Sequence, residues 1–345
     1  MKILIVTDAW YPQVNGVCRT LKNLGDELKK IGHQVEYIEP NQFFTVPMPK
    51  YNEIKLSLNV WPRVGRLISK ADADIIHIAT EGPIGIFAKR YCVKNKLKFT
   101  TSYHTQFDKY LKLYYPYLPI KLAQKFLKGF HSKAEKILVT TQSMKDELQD
   151  IGFDKDKMVV WTRGANHGAF QKPKKINLEY KRPIYLYVGR VSIEKNIRAF
   201  LDLELEGTKL VVGKGPDLDK LKKEYPEAIF KGERTNGELA SYFASSDVFV
   251  FPSKTDTFGI VIIEALKCGL PVAAYPVAGP KDIFNGTNIG SLNNDLKKAA
   301  LEALKSDRSA CIEHAKKYTW ENCAKIFLNS AVSVSYTHLT LPTKA

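Results

Sequence analysis

The stretch DVFVFPSKTDTFGIVIIEALKCGLPVAAYPV, residues 247–277, contains two short apolar runs with a loop and a helical segment between them. The runs DVFVF and PVAAYPV have the character of strands that are buried on both faces of a parallel sheet. The segment between them ends at Gly269, a residue that often terminates helices. This order of elements predicts a β–α–β unit and therefore an α/β protein.

Similar units recur in two series along the chain. The apolar runs lie at 2–7, 34–40, 73–80, 98–104 and 136–141, and then at 183–190, 208–215, 228–233, 247–253 and 271–277. We therefore predict two doubly wound, Rossmann-like domains that face each other across a cleft. The predicted divisions are an N-terminal domain at 1–165, a polar and basic linker at 166–182, a C-terminal domain at 183–332 and a non-native tail at 333–345.

The chain is strongly basic, with 52 Lys and Arg against 36 Asp and Glu and a formal net charge of +16. Residues 1–165 hold 26 basic and 16 acidic side chains, so this half carries +10 of the excess. Nucleic acid, an anionic membrane surface or a phosphate-bearing substrate could each use this charge. The sequence has no helix-turn-helix, RNP or zinc-finger pattern, which argues against nucleic acid as a partner.

Several classes of protein are disfavoured by what the sequence lacks. No apolar run approaches the roughly 18 residues of a membrane-spanning helix, and the apolar part of MKILIVTDAW is short for a signal peptide. The five cysteines have no C-x-x-C spacing and are predicted to be free thiols in a reducing cytosol. The histidines show no ligand spacing, so we predict no metal and no cofactor.

Two acidic residues flank the helical part of the opening stretch. Asp256 follows a predicted strand end, and Glu264 lies in a helix among apolar neighbours. Asp256 could simply cap the helix and Glu264 could face solvent, yet the run of isoleucine and valine leaves no polar face around Glu264. We therefore expect Glu264 to have a polar partner, such as a sugar hydroxyl. Gly259 would let a ligand approach the helix N-terminus, which suits phosphate.

A pair of cations follows another strand, in YLYVGRVSIEKN. Arg190 comes directly after the predicted strand end and Lys195 five residues later, so both are expected over the same cleft. They are either surface residues of a lysine-rich chain or the groups that neutralise a diphosphate leaving group. Gly213 and Gly215 form a G-x-G pair, which is a weak signal because the third glycine of a dinucleotide fingerprint is missing.

Two further candidates lie at strand ends of the N-terminal half. Gly16 is in the first β–α loop, where it either forms a tight turn or lets the backbone approach a phosphate or an acceptor. His104, in TSYHTQF, is either a structural histidine or a group that touches the reacting sugar.

Residues 108–136 combine seven lysines with aromatic residues and leucine. On a helix, Ile120, Ala123, Leu127 and Phe130 would share one face, and Lys121, Lys125 and Lys128 would share another. The segment is either a core-packed helix with a solvated basic face or a surface helix that rests on anionic lipid.

Together, the motifs YVGRVSIEKN, VGKGP, TDTFGIVIIEAL, TSYHTQF and VTTQSMKDEL resemble the retaining, nucleotide-sugar-dependent glycosyltransferases of family 4, which have the GT-B fold. The resemblance covers about residues 1–332, and its nearest subgroup is the GDP-mannose-dependent α-mannosyltransferases. Two departures stand out. Asp256 replaces the first glutamate of the family's E-x7-E pair, although the subgroup shares the TDTFG form, and Asn166 replaces a usual aspartate.

The resemblance implies a role for each candidate residue. Asp256 would contact the donor sugar, Glu264 the ribose, and Arg190 and Lys195 the diphosphate, while His104 would lie beside the anomeric carbon. Gly16 would line the phosphate and acceptor side. The remaining donor-binding residues implied are Gly189, Gly213, Gly215, Ser253, Phe258, Gly259 and Ile260.

The implied reaction is metal-independent transfer of a hexose, with mannose favoured, to a lipid-linked or glycan acceptor with retention of configuration. A UDP-sugar-dependent glycolipid synthase or a UDP-sugar epimerase of the same fold is the alternative, and a nucleic-acid-binding protein is a remote one. The expected location is cytoplasmic, with peripheral contact at the inner face of the membrane.

Overall fold

The computed structural model describes residues 1–331 and 334, apart from 14, 49, 50, 116, 118 and 166, and it describes only the backbone at 51–54, 111, 167, 169 and 236. The departure noted at Asn166 therefore lies outside the described residues. So does the predicted tail at 333–345, except for Val334, whose amide N donates a hydrogen bond of 2.8 Å to the carbonyl O of Asp74.

The N-terminal half contains a parallel sheet and a separate hairpin. Its strands are β1 (Lys2–Val6), β2 (Gln34–Ile38), β3 (Phe44–Met48), β4 (Tyr51–Leu58), β5 (Ile75–Ile78), β6 (Thr100–Tyr103), β7 (Lys136–Val139) and β8 (Met158–Val160). The sheet order is β2-β1-β5-β6-β7-β8, while β3 and β4 pair with each other in antiparallel fashion. The last four residues of β1 are at most 1% exposed, as expected for a strand covered on both faces.

Helices cover both faces of this sheet. They are α1 (Gly16–Lys30), α2 (Arg63–Ala71), α3 (Pro83–Lys94), α4 (Phe107–Tyr114), α5 (Ile120–His131) and α6 (Gln142–Asp150), whereas the next helix, α7 (His167–Gln171), packs against the C-terminal half. The Asn15 side chain caps α1 by accepting a hydrogen bond of 2.9 Å from the Cys18 amide. The leucines of α1 at 21, 24 and 28 are fully buried, so this helix packs through one apolar stripe.

The C-terminal half is a second parallel sheet. Its strands are β9 (Ile184–Val188), β10 (Thr208–Val212), β11 (Ile229–Phe230), β12 (Val248–Phe251), β13 (Val272–Ala274) and β14 (Gly290–Leu292). Their order, β11-β10-β9-β12-β13-β14, is that of a Rossmann fold, and the chain reverses its winding between β9 and β12. The two sheets confirm the predicted fold class of two Rossmann-like domains.

The helices of this half are α8 (Arg198–Leu201), α9 (Leu218–Glu224), α10 (Asn236–Ser245), α11 (Ile260–Lys267), α12 (Ala278–Phe284), α13 (Leu296–Ala303), α14 (Arg308–Ala315) and α15 (Trp320–Ser330). The last helix, α15, packs in the core of the N-terminal half. Phe327 joins the cluster that contains Ile3 and Leu24, and the Trp161 indole donates a hydrogen bond of 2.9 Å to the Cys323 carbonyl. The predicted boundary at 332 had placed this helix in the C-terminal domain, but its apolar face completes the N-terminal core.

The predicted linker also has a packing role. Phe170, in α7, is fully buried in the C-terminal core, where its ring lies 6.2 Å from that of Phe243. Residues 172–179 have no regular secondary structure. The first part of the predicted linker therefore belongs to the C-terminal core. The limits of the linker at 166–182 stay a prediction.

Candidate active site

A cavity of about 540 Å³ lies between the two halves, where the carboxyl ends of their parallel strands meet. The loops that follow β9 and β12 line one side of it, and the loops that follow β1 and β5 line the other. Each pair of strands consists of neighbours in its sheet. Ligands of open α/β sheets bind in such crevices, at the point where the winding reverses. This cavity is therefore the candidate active site.

Most of the residues predicted for the donor site line this cavity. They come from both halves of the chain: Gly16, His104, Gly189, Arg190, Lys195, Ser253, Asp256, Phe258, Gly259 and Ile260. Gly213, Gly215 and Glu264 lie outside the lining. A Cβ atom placed on Gly16 would meet nothing within 4 Å, so protein packing does not account for this glycine.

Backbone packing accounts for Gly213 and Gly215. A Cβ atom on Gly213 would lie 1.9 Å from the carbonyl O of Gly189, and one on Gly215 would lie 2.2 Å from that of Val191. Glycine at both positions lets the loops after β9 and β10 run side by side. The structure thus gives these glycines a role away from the cavity, and their part in donor binding stays a prediction.

The loop before α11 turns the N-terminus of this helix toward the cavity. Gly259 is the N-cap residue and has the left-handed angles φ 87° and ψ 68°, which glycine adopts without a steric penalty. A side chain would also clash there, because a Cβ atom would lie 2.9 Å from Cδ1 of Ile262. The first N–H groups of a helix are unpaired within it and attract anions. This end of the cavity is suited to a phosphate.

Lys195 and Asp256 form a salt bridge inside the cavity. The Lys195 Nζ atom lies 2.6 Å from Oδ1 of Asp256, and both side chains are mostly buried. Burial lowers the pKa of Lys195, but the combined effect of Asp256, Tyr110 and Tyr187 outweighs burial, so the net pKa is raised. Asp256 Oδ2 is buried and has no hydrogen-bond partner within the described part of the chain. The pair therefore presents one fixed cation and one acceptor atom with unused capacity.

Arg190 lies beside a second buried acid, Glu194. Its Nε atom is 4.0 Å from Oε1 of Glu194, which is 2% exposed. The Tyr114 hydroxyl donates a hydrogen bond of 2.6 Å to Oε2 of the same carboxylate. Glu194 was not among the predicted residues, although it lies between the two predicted cations in sequence. It fixes the loop that carries them and links it to α4.

Glu264 is fully buried, and its partner comes from the other half of the molecule. Arg19, on α1, donates a hydrogen bond to Oε1 of Glu264 and forms a salt bridge with it. Burial raises the pKa of Glu264, and Arg19 opposes this effect. The other oxygen, Oε2, has no hydrogen-bond partner among the residues described. The expected polar partner of Glu264 is therefore an arginine here, and its contact with a ribose stays a prediction.

Both ring nitrogens of His104 are hydrogen-bonded within the protein. Nε2 lies 2.8 Å from the Ser102 hydroxyl, and Nδ1 lies 3.1 Å from a guanidinium nitrogen of Arg163. Burial lowers the pKa of His104 well below 6.5, and the Arg163 charge adds to this effect. The carbonyl O of His104 accepts a hydrogen bond of 2.7 Å from the Thr257 hydroxyl, which joins the two halves.

Asp8, Arg163 and Arg19 also line the cavity and were not among the predicted residues. Asp8 follows β1 and accepts hydrogen bonds from the amides of Ile84 (2.7 Å) and Gly85 (3.1 Å), and burial raises its pKa to about 6. Arg163 follows β8, and Arg19 lies one helical turn after Gly16. The signal for the first two was a charged residue just beyond an apolar strand, and that for Arg19 was its helical spacing from Gly16.

The halves are also joined at the rim of the cavity. The Thr140 hydroxyl donates a hydrogen bond of 2.7 Å to the carbonyl O of Thr257, and the Ser143 amide donates one of 3.0 Å to Asp282. Thr257 contacts the N-terminal half through both its hydroxyl and its carbonyl, and it lies next to Asp256 in sequence. The position of the Asp256 loop is therefore set by both halves. Within the described residues, no group of three or more His, Cys, Asp or Glu side chains could hold a metal ion.

Two family models match successive parts of the chain. Residues 14–168 match Glycosyltransferase Family 4, and residues 169–318 match Glycosyl transferases group 1. The junction falls at the start of the predicted linker.

Similar proteins and structures carry related names. A sulfoquinovosyl transferase of Arabidopsis thaliana is 26% identical over 96% of this chain and 73% of its own length. An α-monoglucosyldiacylglycerol synthase of Streptococcus pneumoniae is 27% identical over 88% of this chain and 78% of its own length. A GDP-mannose-dependent α-mannosyltransferase of Mycobacterium tuberculosis is 26% identical over 85% of this chain and 83% of its own length. The solved structure of sucrose-phosphate synthase from Thermosynechococcus elongatus has a TM-score of 0.74 at 19% identity, covering 95% of this chain and 97% of that one, which shows a shared fold.

Proposed function

We propose that this chain, which matches two glycosyltransferase family models over residues 14–318, transfers a hexose, with mannose favoured, from a nucleotide-diphosphate sugar to a lipid-linked or glycan acceptor. The observation that carries the proposal is the cavity between the two sheets, which combines a helix N-terminus with Arg190, Lys195 and Asp256. Cations and backbone N–H groups at one site suit a diphosphate, and an acceptor oxygen beside them suits sugar hydroxyls. We favour mannose as the hexose because the chain has the TDTFG form and because a GDP-mannose-dependent α-mannosyltransferase is among its relatives.

The charges in the cavity favour a mechanism that depends on the leaving group. Each acidic or histidine side chain of the lining has a protein partner: Asp8 with Thr80, Glu81 with His131, His104 with Arg163, Glu194 with Tyr114, and Asp256 with Lys195. We therefore assign none of them the role of general base for the incoming hydroxyl. We infer that the departing phosphate accepts the acceptor's proton on the same face of the sugar, with Lys195 and Arg190 stabilising its charge. The product would then retain the anomeric configuration of the donor. The one-bond coupling between C1 and H1 of the transferred sugar can test this.

The donor can be identified by thermal shift. We expect GDP and GDP-mannose to raise Tm more than UDP, ADP and their sugars, because a ligand that binds only the folded state stabilises it by about 2.7 kcal/mol at 100 times its Kd. If no nucleotide sugar raised Tm, the proposal would be wrong. Conversion of a UDP-sugar without any acceptor would instead identify an epimerase, and salt-dependent binding of DNA or RNA would support the nucleic-acid alternative.

The surface of α5 supports a lipid-linked acceptor. Ala123, Leu127 and Phe130 are buried, as the pattern predicted, but Leu122 and Phe126 are 61% and 46% exposed. Their neighbours on the outer surface of the helix are the exposed residues Lys121, Lys125 and Lys128. Apolar side chains between lysines are typical of helices that lie in the interface of an anionic bilayer. Within the described residues, no helix is long and apolar enough to cross a bilayer.

We therefore expect the double variant Leu122→Asn, Phe126→Asn to bind vesicles of phosphatidylglycerol and phosphatidylcholine about 10-fold more weakly than the native chain, since about 1.4 kcal/mol of apolar burial would be lost. Co-sedimentation at low salt measures this. Leu301→Asn is the matched control, because Leu301 is 45% exposed on α13 in the other half. Equal binding by the double variant and the control would contradict membrane contact through α5.

A further inference from the structure

Arg163 is a buried cation at the edge of the cavity. It is 2% exposed, and its guanidinium carbon lies 4.1 Å from the centre of the Trp161 ring. One terminal nitrogen donates to the carbonyls of Trp161 (2.6 Å) and Thr162 (3.3 Å), and the other donates to Nδ1 of His104 (3.1 Å). No carboxylate of the described chain forms a salt bridge with it. Its charge is therefore balanced by carbonyl dipoles and a neutral ring.

The contact with His104 fixes where the proton of the imidazole lies. A guanidinium nitrogen can only donate, so Nδ1 of His104 must accept and cannot carry a proton. In a neutral imidazole the proton is then on Nε2, which donates to the Ser102 hydroxyl at 2.8 Å. A second proton on Nδ1 would break the bond with Arg163 and place two cations in contact.

We propose that Arg163 is a positioning residue that holds His104 in the neutral Nε2–H form and places a permanent positive charge beside the reacting centre. The location of the reacting centre rests on the proposed function, whereas the state of the imidazole does not. His104 then takes no part as an acid or base. Its ring is held in one orientation at the edge of the cavity. Together, His104 and Arg163 contribute positive potential where the diphosphate leaves.

The other groups around His104 agree with a neutral ring. His77, on β5, lies 3.1 Å from the Ser102 hydroxyl through its Nε2 and is fully buried, which lowers its pKa to about 3. His131, on α5, pairs with Glu81 at 3.2 Å and contacts the hydroxyl of Thr101 on β6. Both histidines disfavour a proton on His104, and the charge of Arg163 disfavours it more strongly. Burial, Arg163, His77 and His131 thus all oppose protonation of His104.

Nitrogen-15 NMR of the histidine side chains tests the proposal directly in the full chain. His104→Gln identifies the signals of His104 by their disappearance. We expect the native protein to show a protonated Nε2 and an unprotonated Nδ1, without titration between about pH 5.5 and about pH 8, a range that spans ordinary histidine titration. A protonated Nδ1, or titration of His104 in this range, would overturn the proposal. This measurement needs neither a donor nor a folded variant of Arg163, so it is independent of the proposed function.

Variants of Arg163 test whether this residue is the cause. In Arg163→Met the Nδ1 atom loses its donor, so we expect the Nδ1–H form to become populated, whereas Arg163→Lys should keep the native form. With the donor identified, we expect kcat of Arg163→Met to fall about 10-fold to about 100-fold with little change in donor KM, and Arg163→Lys to recover part of it. A native proton position in Arg163→Met would show that Ser102 sets the tautomer instead, and would overturn the role of Arg163.

Discussion

Asp256→Ala is expected to lower kcat/KM for sugar transfer by about 100-fold to about 1,000-fold, or about 2.7–4 kcal/mol of transition-state stabilisation. The substitution removes the Oδ2 atom that has unused hydrogen-bonding capacity within the described chain, and with it the proposed contact to the donor sugar. It also removes the anion that lies 2.6 Å from Lys195. Without that partner, the lysine is no longer held in one orientation, so its contact with the diphosphate should weaken as well.

Initial rates at varied donor concentration measure this effect. Asp256→Asn separates the two causes, because an amide keeps an acceptor oxygen for the sugar but loses the salt bridge with Lys195. The matched control is Asp219→Ala, since Asp219 is exposed on α9 and does not line the cavity. Circular dichroism and Tm show whether each variant folds. Near-normal transfer by a folded Asp256→Ala protein would contradict its role in the site.

The parallel strands could be located along the chain because most buried strands carry their own signal. The run ILIV at 3–6 is apolar and buried along its whole length, and similar runs occur at most of the central strands, although β6 reads TTSY. The β3–β4 hairpin was missed, because Phe44 and Leu58 at its ends are exposed and those of its side chains that the structure describes form no buried stripe. The packing of α15 was missed for a different reason: an amphipathic helix shows that it needs an apolar partner, but not which sheet provides it.

The candidate site, like the fold, could be predicted only in part. Residues just after strand ends, such as Arg190 and Asp256, could be placed because parallel strands deliver their carboxyl ends to one edge. Partners could not be predicted when they come from distant parts of the chain. The pairing of Arg19 with Glu264, and that of Arg163 with His104, depends on how two elements are packed in space. A single sequence shows a side chain that needs a partner, but it does not identify the partner.

Glu264→Ala is also expected to have a large effect. We expect it to lower kcat/KM by about 100-fold, mainly because KM for the donor rises. Glu264 is proposed to contact the ribose of the nucleotide, but its carboxylate is fully buried and bound to Arg19. A ribose can reach it only if the two halves separate at this point or Arg19 moves aside. We therefore propose two separable functions for Glu264, one toward the nucleotide and one toward the other half of the molecule.

A double-mutant cycle with Arg19→Ala distinguishes these functions. If Glu264 only joined the two halves, Arg19→Ala would reproduce the whole loss, and adding Glu264→Ala would change nothing further. If Glu264 also binds the ribose, we expect Arg19→Ala alone to cost about 10-fold or less, and the double variant to lose a further factor of about 10 or more in donor affinity. Isothermal titration with the nucleoside diphosphate measures affinity without the acceptor. Equal affinities of Arg19→Ala and the double variant would restrict Glu264 to holding the domains together.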